Sequence, residues 1–584
     1  RLLSRRTLCY SSDIIPAVMF KLDDLLKELG EFGPYQRRVF AITCTIVFFS
    51  SWVSMIPVFL AATVDHWCET PEWTPGCEQY GLSEEACALA QKEGSIPSNY
   101  TSDGELEYAQ CEKYNVSGEE FWPGIDPSNY SSGSLPVIEC DQGWAYDTSQ
   151  YKSSIVTEFD LVCGKEDLTQ VSQSLYFGGY LLGSVVFGSL ADVIGRWWSL
   201  MICMIIRLIA GFALAFSPSW WVFSTIRFIQ GFVAIPIYII SFVLANEFAG
   251  TSKRNITGIL FAVPFATGYV CLALVAYFIR YWKTLEIVAT VPTLVLMAIM
   301  MFLPESVRWQ ISSGRYDKAE KTLATMAKSN KKTLPSPLFT EQFKEQRKSE
   351  GTGHQASALD LFRTPKMRMR SINLTFNWMV NAVVYHGLSL NTSNLGVNDY
   401  LAFAIAGAVE IPAYLFSSVL VEVIGRPRCL CGLLLLSGAS LLSSAIFSPG
   451  TALTVVAMIG KFGISAAYAV LYLYTVELYP TSIRSSAMGL FSTFSRVAGI
   501  ISPLILTLSK YWRPLPMVIY GAAGVAVGFS TLLLPETRGR KLPDTLEEGE
   551  NFGMKSLGEK KMHVKSEAMS VQLNLIEEEK GHPV

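Results

Sequence analysis

The chain has 584 residues, half of them hydrophobic and 17% charged, with a mean hydropathy of +0.31. That composition excludes a disordered chain and is unusual for a water-soluble globule, so a lipid solvent is the first expectation. The net charge of −3 offers no basic excess to nucleic acid, which is not expected as a partner, and the question of partners passes to local charge.

Residues 1–18 lack the apolar core and small-residue cleavage site of a secretory signal. They are read as lying outside the native protein, with Met19 as its start. The stretch behind Met19 reads as a short amphipathic helix at a membrane surface. A bilayer-crossing helix needs about 20 mostly apolar residues. That ruler marks twelve spans, near 39–64, 169–191, 196–217, 220–245, 256–280, 283–303, 371–391, 399–421, 428–447, 452–476, 485–508 and 514–534. Backbone polar groups cannot stay unpaired in lipid, so an all-α bundle is expected.

The segment 304–370 is dense in Lys and Arg from Arg308 to Arg370, which places it in the cytosol and puts both termini on the same side. The segment 65–168 is acidic and carries the sequons at Asn99, Asn115 and Asn129, so it reads as extracellular and glycosylated. Cys68, Cys77, Cys87, Cys111, Cys140 and Cys163 all fall in that loop, an even number in an oxidising compartment, and three disulfides are expected with the pairing open. The domain boundaries follow: a cytoplasmic N-terminus 1–38, a six-helix half 39–303 with its loop 65–168, a cytoplasmic connection 304–370, a second half 371–534 and a cytoplasmic tail 535–584.

The two halves repeat. Asp192-Val-Ile-Gly195-Arg196 after the second span recurs as Glu422-Val-Ile-Gly425-Arg426 after the eighth, an offset of about 230 residues. The same offset relates Glu247 and Arg254 to Glu477 and Arg484, and a nearby one relates Pro304-Glu305-Ser306 to Pro535-Glu536-Thr537. Acids and arginines at helix ends on one face can pair with each other and with helix dipoles. They are read as a gate that sets conformational balance, the plainer alternative being a glycine turn and a snorkelling arginine.

The stretch Gly188-Ser-Leu-Ala-Asp192-Val-Ile-Gly195-Arg196 resembles the loop motif of the major facilitator superfamily, with Val193, Trp197 and Trp198 where basic residues are usual. The Cys-rich first loop is similar to that of solute carrier family 22, the organic cation, anion and zwitterion transporters. So are Phe32-Gly-Pro-Tyr-Gln-Arg37, Thr157-Glu-Phe-Asp-Leu-Val-Cys163, Pro304-Glu-Ser-Val-Arg-Trp309 and Glu477-Leu-Tyr-Pro-Thr-Ser-Ile-Arg484. The resemblance runs over about residues 20–546. Gly460-Lys-Phe-Gly-Ile-Ser-Ala-Ala467 and Ser495-Arg-Val-Ala-Gly-Ile-Ile-Ser-Pro503 look nearest to the carnitine and zwitterion carriers. The resemblance implies a major facilitator fold of twelve helices in two pseudo-symmetric halves.

Arg496 is the leading substrate-binding candidate. It lies about 11 residues into its span, near the bilayer midplane, where a lone charge costs at least about 2.5–3.5 kcal/mol, so it should face a partner or a wet cavity. Its fork of donors suits a carboxylate, and the structural alternative is an ion pair with Glu410 or Glu286. The resemblance implies an acid at this position in cation carriers and an arginine in anion and carnitine-type carriers. Trp378, Asn381 and Tyr385 share a stripe of the seventh span, and Lys461, Ser465, Tyr468 and Tyr472 one of the tenth. Aromatic faces can hold a quaternary ammonium, although such stripes more often pack helices. Tyr238 and Tyr269 are further candidates. Arg227, Gln230 and Gly231 form an R-x-x-Q-G pattern, and Arg207 is another charge within the third span. Arg227 is read as holding the first half together by hydrogen bonds, the alternatives being a proton relay or a substrate contact.

No nucleophile elbow, Walker loop or metal-spaced Cys/His group is present, so neither an enzyme nor a metal site is expected. The expectation is a plasma-membrane secondary transporter of small organic ions, carnitine-like betaines foremost, working as a monomer in the lipid bilayer. It needs no cofactor beyond possible coupling to Na+ or H+. The alternatives are an organic anion exchanger and a non-transporting receptor with the carrier fold.

Overall fold

The computed structural model describes residues 22–71, 81, 83–100, 106–115, 136–250, 253, 257–258, 260–334, 338–339, 358–480, 483–540, 543 and 546–553. Six helices form the first half: α1 (Pro34–Leu60), α2 (Asp167–Ile194), α3 (Arg196–Ala215), α4 (Trp220–Phe248), α5 (Val263–Phe278) and α6 (Trp282–Met300). The second half repeats them as α7 (Pro365–Leu390), α8 (Asp399–Ile424), α9 (Arg426–Ser443), α10 (Thr451–Leu478), α11 (Arg484–Leu506) and α12 (Leu515–Ser530).

Ten of these twelve are long and apolar enough to cross a membrane by themselves. The other two are α5, apolar over 16 residues, and α7, which is diluted by Arg368, Arg370, Asn373, Asn377 and Asn381. The asparagines turn inward, where Asn377 and Asn381 are wholly buried and donate to carbonyls one turn back. Several helices run past the apolar stretch that hydropathy marks. α1 begins at Pro34 rather than 39 and α7 at Pro365 rather than 371, because a helix continues through charged residues that have left the lipid. Pro57 and Pro292 interrupt α1 and α6, each lacking the N–H a continuous helix needs.

The sharp turns between α2 and α3 and between α8 and α9 rest on Gly195 (φ +111°) and Gly425 (φ +95°), a backbone region closed to residues with a Cβ. Within the first half, α2 and α4 approach so closely that a Cβ on Gly179, Gly183 or Gly231 would strike the facing backbone. The outer surface carries exposed apolar side chains such as Leu182, Val185, Trp221, Leu294, Val295 and Val419, as a lipid-facing surface should.

The α1–α2 connection caps one end of the bundle, termed here the loop side. It holds three two-stranded antiparallel sheets: β1 (His66–Cys68) with β6 (Trp144–Tyr146), β2 (Ser98–Tyr100) with β3 (Leu106–Tyr108), and β4 (Glu112–Tyr114) with β5 (Val137–Glu139). Disulfides join Cys68 to Cys140 and Cys111 to Cys163. Cys87 is also disulfide-bonded, and Cys77 lies outside the described residues. Of the sequons, Asn115 is exposed, Asn99 sits in β2 and Asn129 lies outside the described residues.

The other end, the terminal side, carries Leu22–Glu28, Val307–Ser312 and Tyr316–Ser329, packed through Leu25, Leu26, Leu323 and Met326. Asn330 ties this group to the base of α1, accepting from Tyr35 N (3.1 Å) and donating to Leu29 O (2.8 Å). One apolar cluster, from Trp52 and Phe59 through Tyr269 to Phe403 and Met458, joins the two halves toward the loop side. The two large clusters toward the terminal side each stay within one half.

Candidate functional site

The second half presents a set of aromatic rings at mid-membrane. Trp378 of α7 is wholly buried, donates to Thr475 Oγ1 (3.0 Å), and meets Tyr472 of α10 edge-on at 4.5 Å. Tyr468 lies 5.6 Å from Tyr472 and 5.9 Å from both Trp378 and Tyr385, and its hydroxyl shares a hydrogen bond with Ser495 of α11 (2.9 Å). Tyr472 is 40% exposed, so the ring set is open on that flank. The helical spacing read from the sequence therefore brings Trp378, Tyr385, Tyr468 and Tyr472 into one continuous group.

Arg496 follows Ser495 on α11. It is only 9% exposed, its Nε is enclosed without an acceptor, and no hydrogen bond or ion pair reaches its guanidinium among the described residues. The phenols that feel its charge are Tyr472, Tyr468 and, from α2 of the first half, Tyr180. Neither carboxylate considered as its partner is available. Glu410 binds Lys461 (2.8 Å) and Tyr414 (3.1 Å), and Glu286 accepts from Gln230 (2.7 Å).

Lys461 itself is spent: wholly buried, it pairs with Glu410, donates to Ser389 Oγ (2.5 Å) and lies 3.6 Å over the Tyr385 ring. In this structure the expected substrate contact is engaged in an internal ion pair. The wholly buried ring of Tyr269, another expected contact, sits 4.1 Å from Phe403 in the seam between α5 and α8. Tyr238 packs against Phe261 and Phe265 and is within electrostatic reach of Tyr468, so it faces the second half's aromatic group from α4.

In the first half Arg227 and Arg207 each find protein acceptors for part of their guanidinium. Arg227 donates to Gln230 (2.8 Å), which donates to Glu286, and its guanidinium stacks 4.2 Å over Tyr176. Arg207 donates to Phe49 O (2.7 Å) and Ser50 Oγ (3.1 Å). A hydroxyl triad that sequence reasoning missed, Ser54, Tyr176 and Tyr180, links α1 to α2 with separations of 3.0–3.5 Å. Tyr176 and Tyr180 share one face of α2 at i, i+4, but their meeting with Ser54 of α1 leaves no sequence signal.

At the terminal side the repeated motifs form two matching clusters. Arg196 pairs with Asp192 (2.9 Å) and reaches Glu247 at 3.7 Å, while Arg426 is held through Nε and a terminal nitrogen by both oxygens of Glu477 (2.8 and 2.9 Å) and by Glu422 (2.9 Å). The Arg196–Glu247 and Arg426–Glu477 pairs thus each join two motifs of the same half. Arg484 donates to Tyr479 O (3.3 Å), and Arg254 lies outside the described residues.

The third motif pair supplies helix caps. Glu305 accepts from Arg196 N (2.9 Å) and Trp197 N (3.2 Å) at the start of α3, and Glu536 from Arg426 N (3.0 Å) at the start of α9. Burial pushes the Glu305 carboxyl above its ordinary value against the pull of these amides and of Arg196. A Cβ at Gly195 or Gly425 would occupy the space of these carboxylates, so the glycine serves both the turn and the cap.

On the loop side a cavity of about 470 Å³ opens between the halves, lined in part by Asp167, Gln173, Arg227, Leu390 and Lys510, with Arg496 not on its wall. Polar contacts that cross between the halves there include Lys510 to Asp167 (2.7 Å), Tyr151 OH to Asp399 (2.8 Å) and Tyr400 OH to Gln150 O (3.3 Å).

Two six-helix halves around a central site define the major facilitator fold. A family model described as sugar (and other) transporter matches residues 130–547. The organic cation transporter protein of Drosophila melanogaster is 34% identical over 549 residues, covering 91% of this chain and 95% of its own. Solute carrier family 22 member 2 of Oryctolagus cuniculus is 35% identical over 551 residues (91% and 95%), and the human organic cation/carnitine transporter 2 is 34% identical over 535 residues (90% and 93%). The xylose transporter XylE from E. coli in its partially occluded inward open conformation superposes with a TM-score of 0.58 at 14% identity, over 87% of this chain and all of that one, and bears on the fold alone. The chain belongs to solute carrier family 22 of the major facilitator superfamily of membrane transporters.

Proposed function

We propose that the protein is a plasma-membrane secondary carrier that moves small organic cations by alternating access, with carnitine-like betaines as its preferred class. One observation carries the reading: Arg496 is a buried guanidinium with no carboxylate partner among the described residues, set beside the open ring group of Trp378, Tyr468 and Tyr472. A betaine carboxylate matches the donor fork, and its quaternary ammonium matches the aromatic faces, which attract cations by about 0.5–2 kcal/mol. The relatives named as organic cation and organic cation/carnitine transporters support the cationic part of the reading.

Alternating access is supported by the packing. The halves share an apolar cluster toward the loop side while the terminal-side clusters stay separate, as in a state open toward the terminal side. The terminal side is assigned to the cytosol because Lys and Arg crowd the connection after α6, and both termini go with it. The unit is a monomer, and Na+ or H+ coupling is left to measurement.

Organic anion exchange is the second reading, since Arg496 also suits an anion. It is weakened by Lys461, whose charge Glu410 neutralises. Radiolabelled uptake of carnitine, a lipophilic monovalent cation and a dicarboxylate in expressing cells, with and without sodium and over a range of external pH, separates the readings. Saturable carnitine uptake that the cation inhibits is expected. Dicarboxylate uptake exceeding both replaces the proposal with exchange, and no uptake of any leaves a receptor.

A further inference from the structure

The base of α7 is closed by a residue from the far end of the chain. Thr364 stands at the N-cap position but makes no side-chain cap of its own. Its hydroxyl donates to Glu550 Oε2 (2.6 Å), and the same carboxylate accepts from Lys366 N (3.0 Å) and Met367 N (2.9 Å). Arg370, one turn on, returns the contact by donating to Gly549 O and Phe552 O (both 2.7 Å), the carbonyls at the end of the helix Leu546–Asn551. Gly549 lies against Pro480 so closely that a Cβ there would collide with the ring, and Phe552 is buried in the second half's apolar cluster. The segment 546–553 is thus a clip across α7 and the end of α10, held at one end by the Glu550 carboxylate. Burial would raise that carboxyl, but the Thr364 hydroxyl and the two amides outweigh it and hold it below its ordinary value.

Thr364 precedes Pro365, and its backbone is extended (φ −105°, ψ 147°), as the following proline requires. Arg363 and Pro365 are exposed, and Lys366 and Arg368 follow in sequence. We propose that Thr364 is a phosphorylation site for a proline-directed protein kinase and that its phosphate evicts the tail clip from α7. The inference rests on the assignment of the terminal side to the cytosol, where kinase and ATP are found.

The step balances: Thr364 Oγ1 attacks the γ-phosphorus of ATP, the bond from that phosphorus to the bridging oxygen breaks, ADP leaves, and the hydroxyl proton passes to the kinase's base. Opening of the first helical turn, the part that frays most readily, presents the residue to the enzyme. The product phosphate carries close to two negative charges and is placed by its own side chain at the Lys366 and Met367 amides, where the helix dipole favours an anion. Glu550 occupies those amides in the unmodified protein. Two anions cannot share them, and the tethered, more highly charged one displaces the carboxylate. The hydroxyl donor that held Glu550 Oε2 is lost in the same event.

The test uses the full chain in lipid nanodiscs, incubated with ATP and a proline-directed kinase, with the site mapped by mass spectrometry and backbone exchange followed over 546–553 and 365–368. Phosphate on Thr364 is expected, with exchange across 546–553 faster by about tenfold or more, the scale of losing charge-assisted hydrogen bonds, while the Lys366 and Met367 amides stay protected. Glu550→Ala opens the clip without kinase and provides the reference for a released tail, and Thr364→Ala takes no phosphate and keeps the clip. Phosphate on Thr364 with unchanged exchange in 546–553 overturns the proposal, as does no phosphate on Thr364 even in the Glu550→Ala protein. Modification of the purified chain without any in intact cells faults the cytosolic assignment instead, and uptake measured in parallel reports on the transport reading alone.

Discussion

The two halves of the molecule descend from one pattern and handle buried positive charge in opposite ways. In the first, Arg207 and Arg227 each bind protein acceptors, the latter through Gln230 to Glu286, while Arg207 Nε and one terminal nitrogen of Arg227 stay unpaired among the described residues. In the second, Lys461 is consumed by Glu410, and Arg496 is left without an acceptor among the described residues. A membrane protein tolerates an uncompensated charge at mid-depth only where water or a ligand reaches it. Under the proposed function, this asymmetry makes the second half the one that would offer its charge to a substrate, with the first as the wall it moves against. At the terminal side the second half is again the more tightly built, with both oxygens of Glu477 on Arg426 where Glu247 stands 3.7 Å from Arg196.

The largest effect should come from stripping the second half of its internal pair. Lys461→Met leaves Glu410 as a buried carboxylate without its cation, which costs about 3–5 kcal/mol. A sharp fall in thermal unfolding temperature and surface expression is expected, and a stable, transport-competent variant would return Lys461 to the list of substrate contacts.

Next comes Arg496→Ala, which removes charge-assisted bonds worth about 1.5–3 kcal/mol, a roughly 10- to 150-fold weakening for carboxylate-bearing substrates. Uptake of a monovalent cation without a carboxylate should suffer less. An equal loss for both substrates at normal surface expression would make the arginine a packing residue and erase the contrast between halves.

The gate clusters give a smaller, paired prediction. Glu477→Gln should destabilise by about 1–3 kcal/mol and Glu247→Gln by under about 1 kcal/mol, because one breaks a two-point grip on Arg426 and the other a long contact. Comparing their unfolding temperatures checks the order, and the reverse order would show that the Arg426–Glu477 grip is not the stronger of the two.

The smallest effect concerns the loop side. Tyr151→Phe deletes the donor to Asp399 across the halves, worth about 1 kcal/mol, and should shift the population of the loop-side-closed state about fivefold. Labelling of a cysteine placed at Gln173 on the loop-side cavity reports that population, and unchanged labelling would deny the bond any gating role.

Much of the architecture was legible because membrane insertion makes hydropathy nearly sufficient for locating helices. The repeat at Asp192 and Glu422 disclosed two halves, and six loop cysteines disclosed crosslinking. Helix ends were less legible. At Pro34 and Pro365 the helices extend through charged turns that a lipid ruler stops short of. Within the candidate site, the stripes of α7 and α10 bring their rings into one group, since a stripe depends on one helix only. What was not legible was which of two buried cations, 35 positions apart in sequence as Lys461 and Arg496, would meet Glu410.

The sequence by itself determined the solvent, the count of helices, the duplication and the residues able to carry charge into the membrane. Those properties are local or periodic, and a one-dimensional string records them. Only the tertiary structure decided that Glu410 takes Lys461, that Tyr269 closes a seam, that Glu305 and Glu536 cap the helices after the glycine turns, and that Glu550 returns to Thr364. Each of these is a meeting of side chains brought together by packing from distant helices, and charge pairing in a low-dielectric interior goes to whichever partner the packing brings within about 3 Å, not to the one that is nearest in type.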